Sequence, residues 1–192
     1  LKLTGRNGAG KSTLIRMIAG LVAPFAGTLH WNGAEVGRDR EAFMADLIYA
    51  GHQAGLKTAL TATENLDLFA RLRGTSGRDA VAALQSFGIA ELADLPVRYM
   101  SAGQRRRVSL ARLLMTPARL WLLDEPLTAL DTGAIAQLGG VVDAHRDAGG
   151  MVIAATHADL PGQPGSVLEI VPPADADLDM DMDVDGDMED AW

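Results

Sequence analysis

Cysteine is absent from the sequence, so neither a disulfide framework nor a thiolate metal site is open to this chain. Its apolar residues never run to the roughly 18 in succession that a membrane span needs, and no stretch has the make-up of a secretory signal. Any role at a membrane is therefore expected to be peripheral. Concentrated positive charge is lacking too. The formal net charge is −8 over 192 residues, yet nine acids and no base fall within 174–192: Asp175, Asp177, Asp179, Asp181, Asp183, Asp185, Asp187, Glu189 and Asp190. The rest of the chain balances 16 acids against 17 bases. A nearly neutral body gives neither nucleic acid nor an anionic membrane an electrostatic reason to bind.

What is present reads as one α/β domain over 1–173 followed by an acidic tail over 174–192, expected to be disordered and self-repelling. Within the tail Asp181, Asp183, Asp185 and Gly186 fit the first half of a calcium loop, but the twelfth position is Trp192 instead of a bidentate Glu. Apolar residues at 48% and charged residues at 22% are those of a domain with a substantial core. Strand patterns at Leu1–Thr4, Gly27–Trp31, Leu47–Ala50, "RLWLLDE", "MVIAAT" and "SVLEIV" alternate with helical patterns over Lys11–Ala19, Ala62–Leu72, Asp79–Phe87, Ala102–Met115 and Asp131–Ala148. That alternation predicts a mostly parallel sheet flanked by helices. The chain opens without Met and in mid-motif, and is expected to lack N-terminal strands.

"GRNGAGKS", Gly5 to Ser12, matches G-x-x-x-x-G-K-[ST] between a strand and a helix. Gly5, Arg6, Asn7, Gly8, Ala9 and Gly10 supply backbone amides to phosphates, Lys11 reaches the β and γ phosphates, and Ser12, followed by Thr13, is placed to ligate magnesium. The pattern predicts a nucleoside triphosphate with Mg²⁺. Asp124 and Glu125 end the strand "LWLLDE". An acid there holds the magnesium shell beside the phosphate loop, and a second one residue on deprotonates the attacking water. His157 follows "MVIAAT" at another C-terminal strand end, where open α/β sheets collect their ligands. Ser101 and Gln104 form a Ser-x-x-Gln capping box, yet Gly103 lies inside that first turn, where it costs helix stability and leaves amides uncovered for an anion. The successive Arg105, Arg106 and Arg107 point about 100° apart on a helix and make no single basic face, so solvation and local pairing are expected of them.

In order, "GRNGAGKS", Gln53, "MSAGQ", "LWLLDEP", "TALD" and His157 resemble the nucleotide-binding domain of ATP-binding cassette proteins. Met100 and Ala102 depart from the family's usual Leu-Ser-Gly-Gly-Gln. The resemblance implies a P-loop NTPase with a helical signature subdomain at about 60–115, and a head-to-tail homodimer of nucleotide-binding domains. Ser101, Ala102, Gly103 and Gln104 would then complete the partner's ATP site. It further implies that Gln53 senses magnesium and the γ-phosphate, that Asp131 communicates between sites, and that His157 contacts the γ-phosphate. The family's adenine-stacking aromatic residue would lie on strands before Leu1.

The segment "GHQAGLKTALTATENL" looks like that of the ATPase subunits of the haem exporter of bacterial cytochrome c biogenesis. This implies integral membrane transporter subunits as partners, at the cytoplasmic face of the inner membrane, and no nucleic acid. The alternatives are the ATPase of another transporter of the family, or a soluble member serving DNA repair or translation. Repair members carry long coiled-coil insertions and translation members two cassettes, neither of which this sequence shows.

Overall fold

A computed structural model describes residues 1–75, 77–162 and 165–171. The acidic segment 174–192, with its calcium-loop pattern, lies outside the described residues. Five strands form a wholly parallel sheet: β1 (Lys2–Thr4), β4 (Leu47–Ala50), β5 (Leu120–Asp124), β6 (Met151–Ala155) and β7 (Val167–Glu169). Their order is β4-β5-β6-β1-β7. A separate antiparallel hairpin pairs β2 (His30–Trp31) with β3 (Ala34–Glu35). Asn32 and Gly33 between them both have positive φ, as a two-residue type I′ turn requires.

The alternating side chains of the central strands divide the core into two layers. Leu47, Leu120 and Leu122 join Leu3, Ile15 and Phe43 on one face. Ile48, Trp121, Leu123 and Ala154 join Leu66, Leu84, Leu110 and Leu138 on the other. The register Leu47↔Leu120, Ile48↔Trp121 and Trp121↔Val152 keeps each set in line across the strands. A sheet buried on both faces needs apolar residues at every position, which is why "LWLL" shows no polar alternation.

The first face is covered by α1 (Lys11–Ile18) and α2 (Arg40–Ala45), a short helix that Asp39 caps by accepting from the Ala42 amide. The second is covered by α3 (Ala62–Leu72), α4 (Ala80–Gln85), α5 (Ala102–Ala111) and α6 (Thr132–Asp147). Capping boxes form at Thr61 with Glu64, a Thr-x-x-Glu pattern in the sequence, and, as expected, at Ser101 with Gln104. α5 ends four residues short of the expected Met115 and tightens into a 3₁₀ turn over Arg112–Leu114. Leu72, which shares the helical spacing of Leu66 and Phe69, is 78% exposed. It sits in the last turn, next to the chain reversal at Gly74, beyond the reach of the core. Asn65 is the polar residue of that helix that is buried instead. Its Oδ1 accepts from the Lys57 amide at 2.8 Å and its Nδ2 donates to the carbonyls of Lys57, Leu60 and Thr61. It thereby ties the segment that follows β4 to α3.

Candidate functional site

β1, β4, β5 and β6 run parallel, so their C-terminal ends share one edge of the sheet, and the chain leaves each end through a residue of interest. From β1 it enters the loop Gly5–Gly10. Gly5 (φ 140°), Gly8 (φ 79°) and Gly10 (φ 95°) all occupy positive φ, which costs glycine least. A Cβ on Gly5 would also come within 2.4 Å of the Ile170 carbonyl oxygen. Arg6, Asn7 and Gly8 are exposed, Ala9 is buried, and Thr13 faces outward from the first turn of α1. No side chain caps that helix, because Gly10 stands at the N-cap in the left-handed conformation. The amide end of α1 is therefore without a protein side-chain acceptor and is suited to an anion.

Lys11 is only 7% exposed. Its Nζ donates to the carbonyls of Gly5 at 2.8 Å and Arg6 at 2.9 Å, which turns the ammonium into the concave side of the loop. Ser12 Oγ donates to Asp124 Oδ1 at 2.7 Å, across the end of β6. Asp124 is 1% exposed, and its second oxygen accepts from Tyr49 Oη at 3.4 Å. A buried carboxylate beside a serine hydroxyl and uncapped amides is the donor set that fits a phosphate-bound Mg²⁺ completed by water. Among the described residues no three His, Asp or Glu side chains gather as a metal cluster. Magnesium of this kind needs none, since phosphate and water supply most of its six oxygens.

Glu125 has φ 46°, the left-handed region, and its amide donates to the Ala155 carbonyl at 2.8 Å. A non-glycine residue there costs on the order of 1–3 kcal/mol unless its surroundings dictate the turn. The turn brings the Glu125 carboxylate towards His157, whose Nε2 is 3.7 Å from Oε1. That is beyond direct hydrogen-bond range and leaves room for rearrangement. The two side chains are 29% and 55% exposed, open to a substrate from solvent.

Gln53 is exposed three residues beyond β4, next to a cleft of about 400 Å³ that Arg16, Tyr49 and Arg112 also line. Ser101 and Gln104 bond to one another in the α5 cap, Ser101 Oγ accepting from the Gln104 amide and Gln104 Oε1 from the Ser101 amide. Among the described residues no hydrogen bond or ion pair joins Ser101–Gln104 to Gly5–Thr13. Met100 is buried in the core at 4% exposure and Ala102 is exposed, so the two departures from the usual signature have different surroundings. Gly103 has a local reason as well: a Cβ there would meet the Ala129 carbonyl oxygen at 2.8 Å. Asp131 caps α6 by accepting from the Ala134 amide and pairs with Arg107.

The expectation for the three arginines is corrected at Arg106, which is 5% exposed. Its Nη1 donates to the Gly51 carbonyl at 2.6 Å, and its Nη2 to those of Glu125 at 2.8 Å and Asp124 at 3.1 Å. Nε reaches the Pro126 carbonyl at 3.4 Å. Burial lowers its pKa from the ordinary arginine value, while the charges of Asp124, Tyr49 and Glu125 work the other way. The signal was in the spacing: Gly103, Arg106 and Leu110 fall at i, i+3 and i+7, one face of the helix, and Leu110 is fully buried.

Comparisons with known proteins agree with this geometry. Residues 1–128 match the family model described as ABC transporter. The chain is 49% identical over 170 residues to the cytochrome c biogenesis ATP-binding export protein CcmA of Paramagnetospirillum magneticum, covering 86% of this chain and 78% of that protein. Its fold is similar to a putative ABC transporter ATP-binding protein from Pyrococcus furiosus, with a TM-score of 0.76 at 22% identity over 88% of this chain and 82% of that one. A bacterial ABC transporter cassette of dimeric structure aligns with a TM-score of 0.70 at 26% identity, covering 82% of this chain and 74% of the other. With a phosphate loop, a buried acid and a strained Glu at one sheet edge, and relatives of this similarity over most of its length, the chain belongs to the ABC transporter family.

Proposed function

We propose that this chain is the ATP-hydrolysing subunit of an ABC transporter complex, coupling ATP binding and hydrolysis to haem export or haem-chaperone release in c-type cytochrome biogenesis. The observation that carries the ATPase reading is the convergence of Lys11, Ser12, Asp124, Glu125 and His157 on one sheet edge, with Ser12 bonded to Asp124 and His157 beside Glu125. The cytochrome reading is supported by the similarity to proteins named for cytochrome c biogenesis.

Gly5, Arg6, Asn7, Gly8, Ala9, Gly10 and Thr13 surround the triphosphate, and Lys11 exchanges the Gly5 and Arg6 carbonyls for phosphate oxygens. Mg²⁺, when bound, neutralises charge developing on the transferred phosphoryl group; Ser12, Asp124 and Gln53 would hold it. Glu125 accepts the proton of the attacking water, and His157 donates to the γ-phosphate beside it. Ser101, Ala102, Gly103 and Gln104 of a second copy close the far side of the nucleotide in a head-to-tail homodimer, with Asp131 between the two sites. No helix among the described residues is long and apolar enough to cross a membrane. Integral membrane subunits would anchor the dimer peripherally, at the cytoplasmic face of the bacterial inner membrane.

The test is complementation of a bacterial strain deleted for the corresponding ATPase. The wild-type full-length protein should restore covalent haem on periplasmic cytochromes, and Glu125→Gln should not, although it assembles with the same membrane proteins. Cytochrome maturation by Glu125→Gln at wild-type level would sink the coupling to hydrolysis.

A further inference from the structure

Helix α5 and the 3₁₀ turn that follows it meet the site edge through side chains that reach backbone carbonyls. Arg106 holds those of Gly51, Asp124, Glu125 and Pro126. Ser109 Oγ donates to the Ala54 carbonyl at 3.1 Å; Arg112 donates to the same carbonyl at 3.1 Å and to that of Gly55 at 2.9 Å. Gly51 on one side and Ala54 with Gly55 on the other bracket Gln53. One helix therefore grips both the segment of Gln53 and the segment of the two acids, and among the described residues Arg106 alone hydrogen-bonds to both.

The same helix begins at Ser101. Arg106 lies five positions beyond that cap, about 7.5 Å along an α-helix. Over so short a distance the helix moves as a unit. A guanidinium is planar, always charged and carries its donors in a fixed fork. Carbonyls bound to that fork move with α5, and Glu125, held in the left-handed region, is turned by whatever moves its own carbonyl and that of Asp124.

We propose that Arg106 is a positioning residue that couples the Ser101 end of α5 to the backbone of Glu125 and of the Gln53 loop in the same chain. A nucleotide docked against Ser101–Gln104 by the second copy then sets the angle at which this chain's Glu125 meets its own water. The inference rests on the reading of Glu125 as the base and of Ser101–Gln104 as the seat of the partner's nucleotide.

The experiment compares wild type, Glu125→Gln, Arg106→Met and Arg106→Lys in the full-length protein purified with its membrane partner. It measures kcat, KM for ATP, direct nucleotide affinity and melting temperature. Lysine keeps the charge and the stem but has one donor nitrogen in place of the fork whose separate nitrogens hold the Gly51 and Glu125 carbonyls. Arg106→Lys should lower kcat at least tenfold, with KM and affinity within about threefold of wild type and a cooperative melting transition retained. Should Arg106→Met fail to fold, Arg106→Lys decides. A kcat within twofold of wild type overturns the inference. So does a parallel loss of kcat and affinity, which is what general support of the fold would give. If Glu125→Gln hydrolyses ATP as fast as wild type, the reading of the site fails and the inference falls with it. If Glu125→Gln is inactive, the Arg106 variants test the inference alone.

Discussion

Glu125 adopts φ 46° at the end of a fully buried strand, and no helix or sheet geometry asks for that conformation. Its carbonyl is held by Arg106 and its amide by Ala155, so the backbone is dictated from both sides while the carboxylate stays partly open. Glu125→Gln should therefore change the chemistry and leave the fold. Steady-state ATP hydrolysis is expected to fall about 10²–10⁴-fold, the usual share of a general base, with nucleotide affinity unchanged by equilibrium titration. A second residue sets a pH dependence. His145 stacks on Trp121 with ring centroids 3.7 Å apart, and burial lowers its pKa from 6.5, with the Arg119 and Met151 backbone working the other way. The folded state thus binds this proton less readily than the unfolded chain. Its contribution to stability is full above pH 6.5 and is lost as the pH falls from there through the depressed folded value. The melting temperature should drop on acidification from pH 7 through that window, and less steeply in His145→Phe, measured by thermal melts across the range.

Two helix starts of opposite character flank the chemistry. α1 begins on a left-handed glycine with no side-chain cap, whereas α5 begins with a complete Ser101–Gln104 box. An uncapped start exposes amides to phosphate; a capped start holds its own geometry until something displaces the cap. The segment between β4 and α3 depends on a different device, the amide of Asn65, 2% exposed and satisfied by four backbone contacts. Asn65→Ala would leave the Lys57 amide and carbonyl without their partner. It should cost about 1–3 kcal/mol by the usual penalty for orphaned buried groups, read as a lower denaturation midpoint at unchanged slope. Ser86→Ala, at an exposed position in the C-cap of α4, should change that midpoint little and serves as the control.

At the scale of the assembly, each site of the proposed dimer draws on two chains. Lys11→Ala damages the phosphate loop of its own chain, and Ser101→Arg places a bulky cation where the partner's nucleotide docks. Either homodimer has two damaged sites and should be nearly inactive. A mixed dimer has one site with both lesions and one site with none, so mixing the inactive parents should recover ATPase activity. Mass spectrometry establishes that mixed dimers form. Single-turnover assays then separate two failures: an intact composite site that cannot cycle alone still cleaves one ATP, whereas no cleavage at all would reduce Ser101 to a helix cap.

The sequence alone determined whatever depends on neighbours along the chain. The phosphate loop, the capping boxes at Thr61 and Ser101, the buried run "LWLL" and the edge position of Asp124 were all legible, because local sterics and hydrogen bonding act within a few residues. Tertiary structure decided what depends on distance in space. Ser12 and Asp124 stand 112 positions apart in sequence and 2.7 Å apart in the fold. Gly103 reads as an exposed helix start, yet the Ala129 carbonyl lies where its side chain would be. Arg106 carries a charge that favours solvent, and only the carbonyls of two distant segments, turned inward together, make its burial favourable. A guanidinium is buried only where its donors are met, and the groups that meet these come from the C-terminal ends of two strands whose pairing no stretch of sequence states.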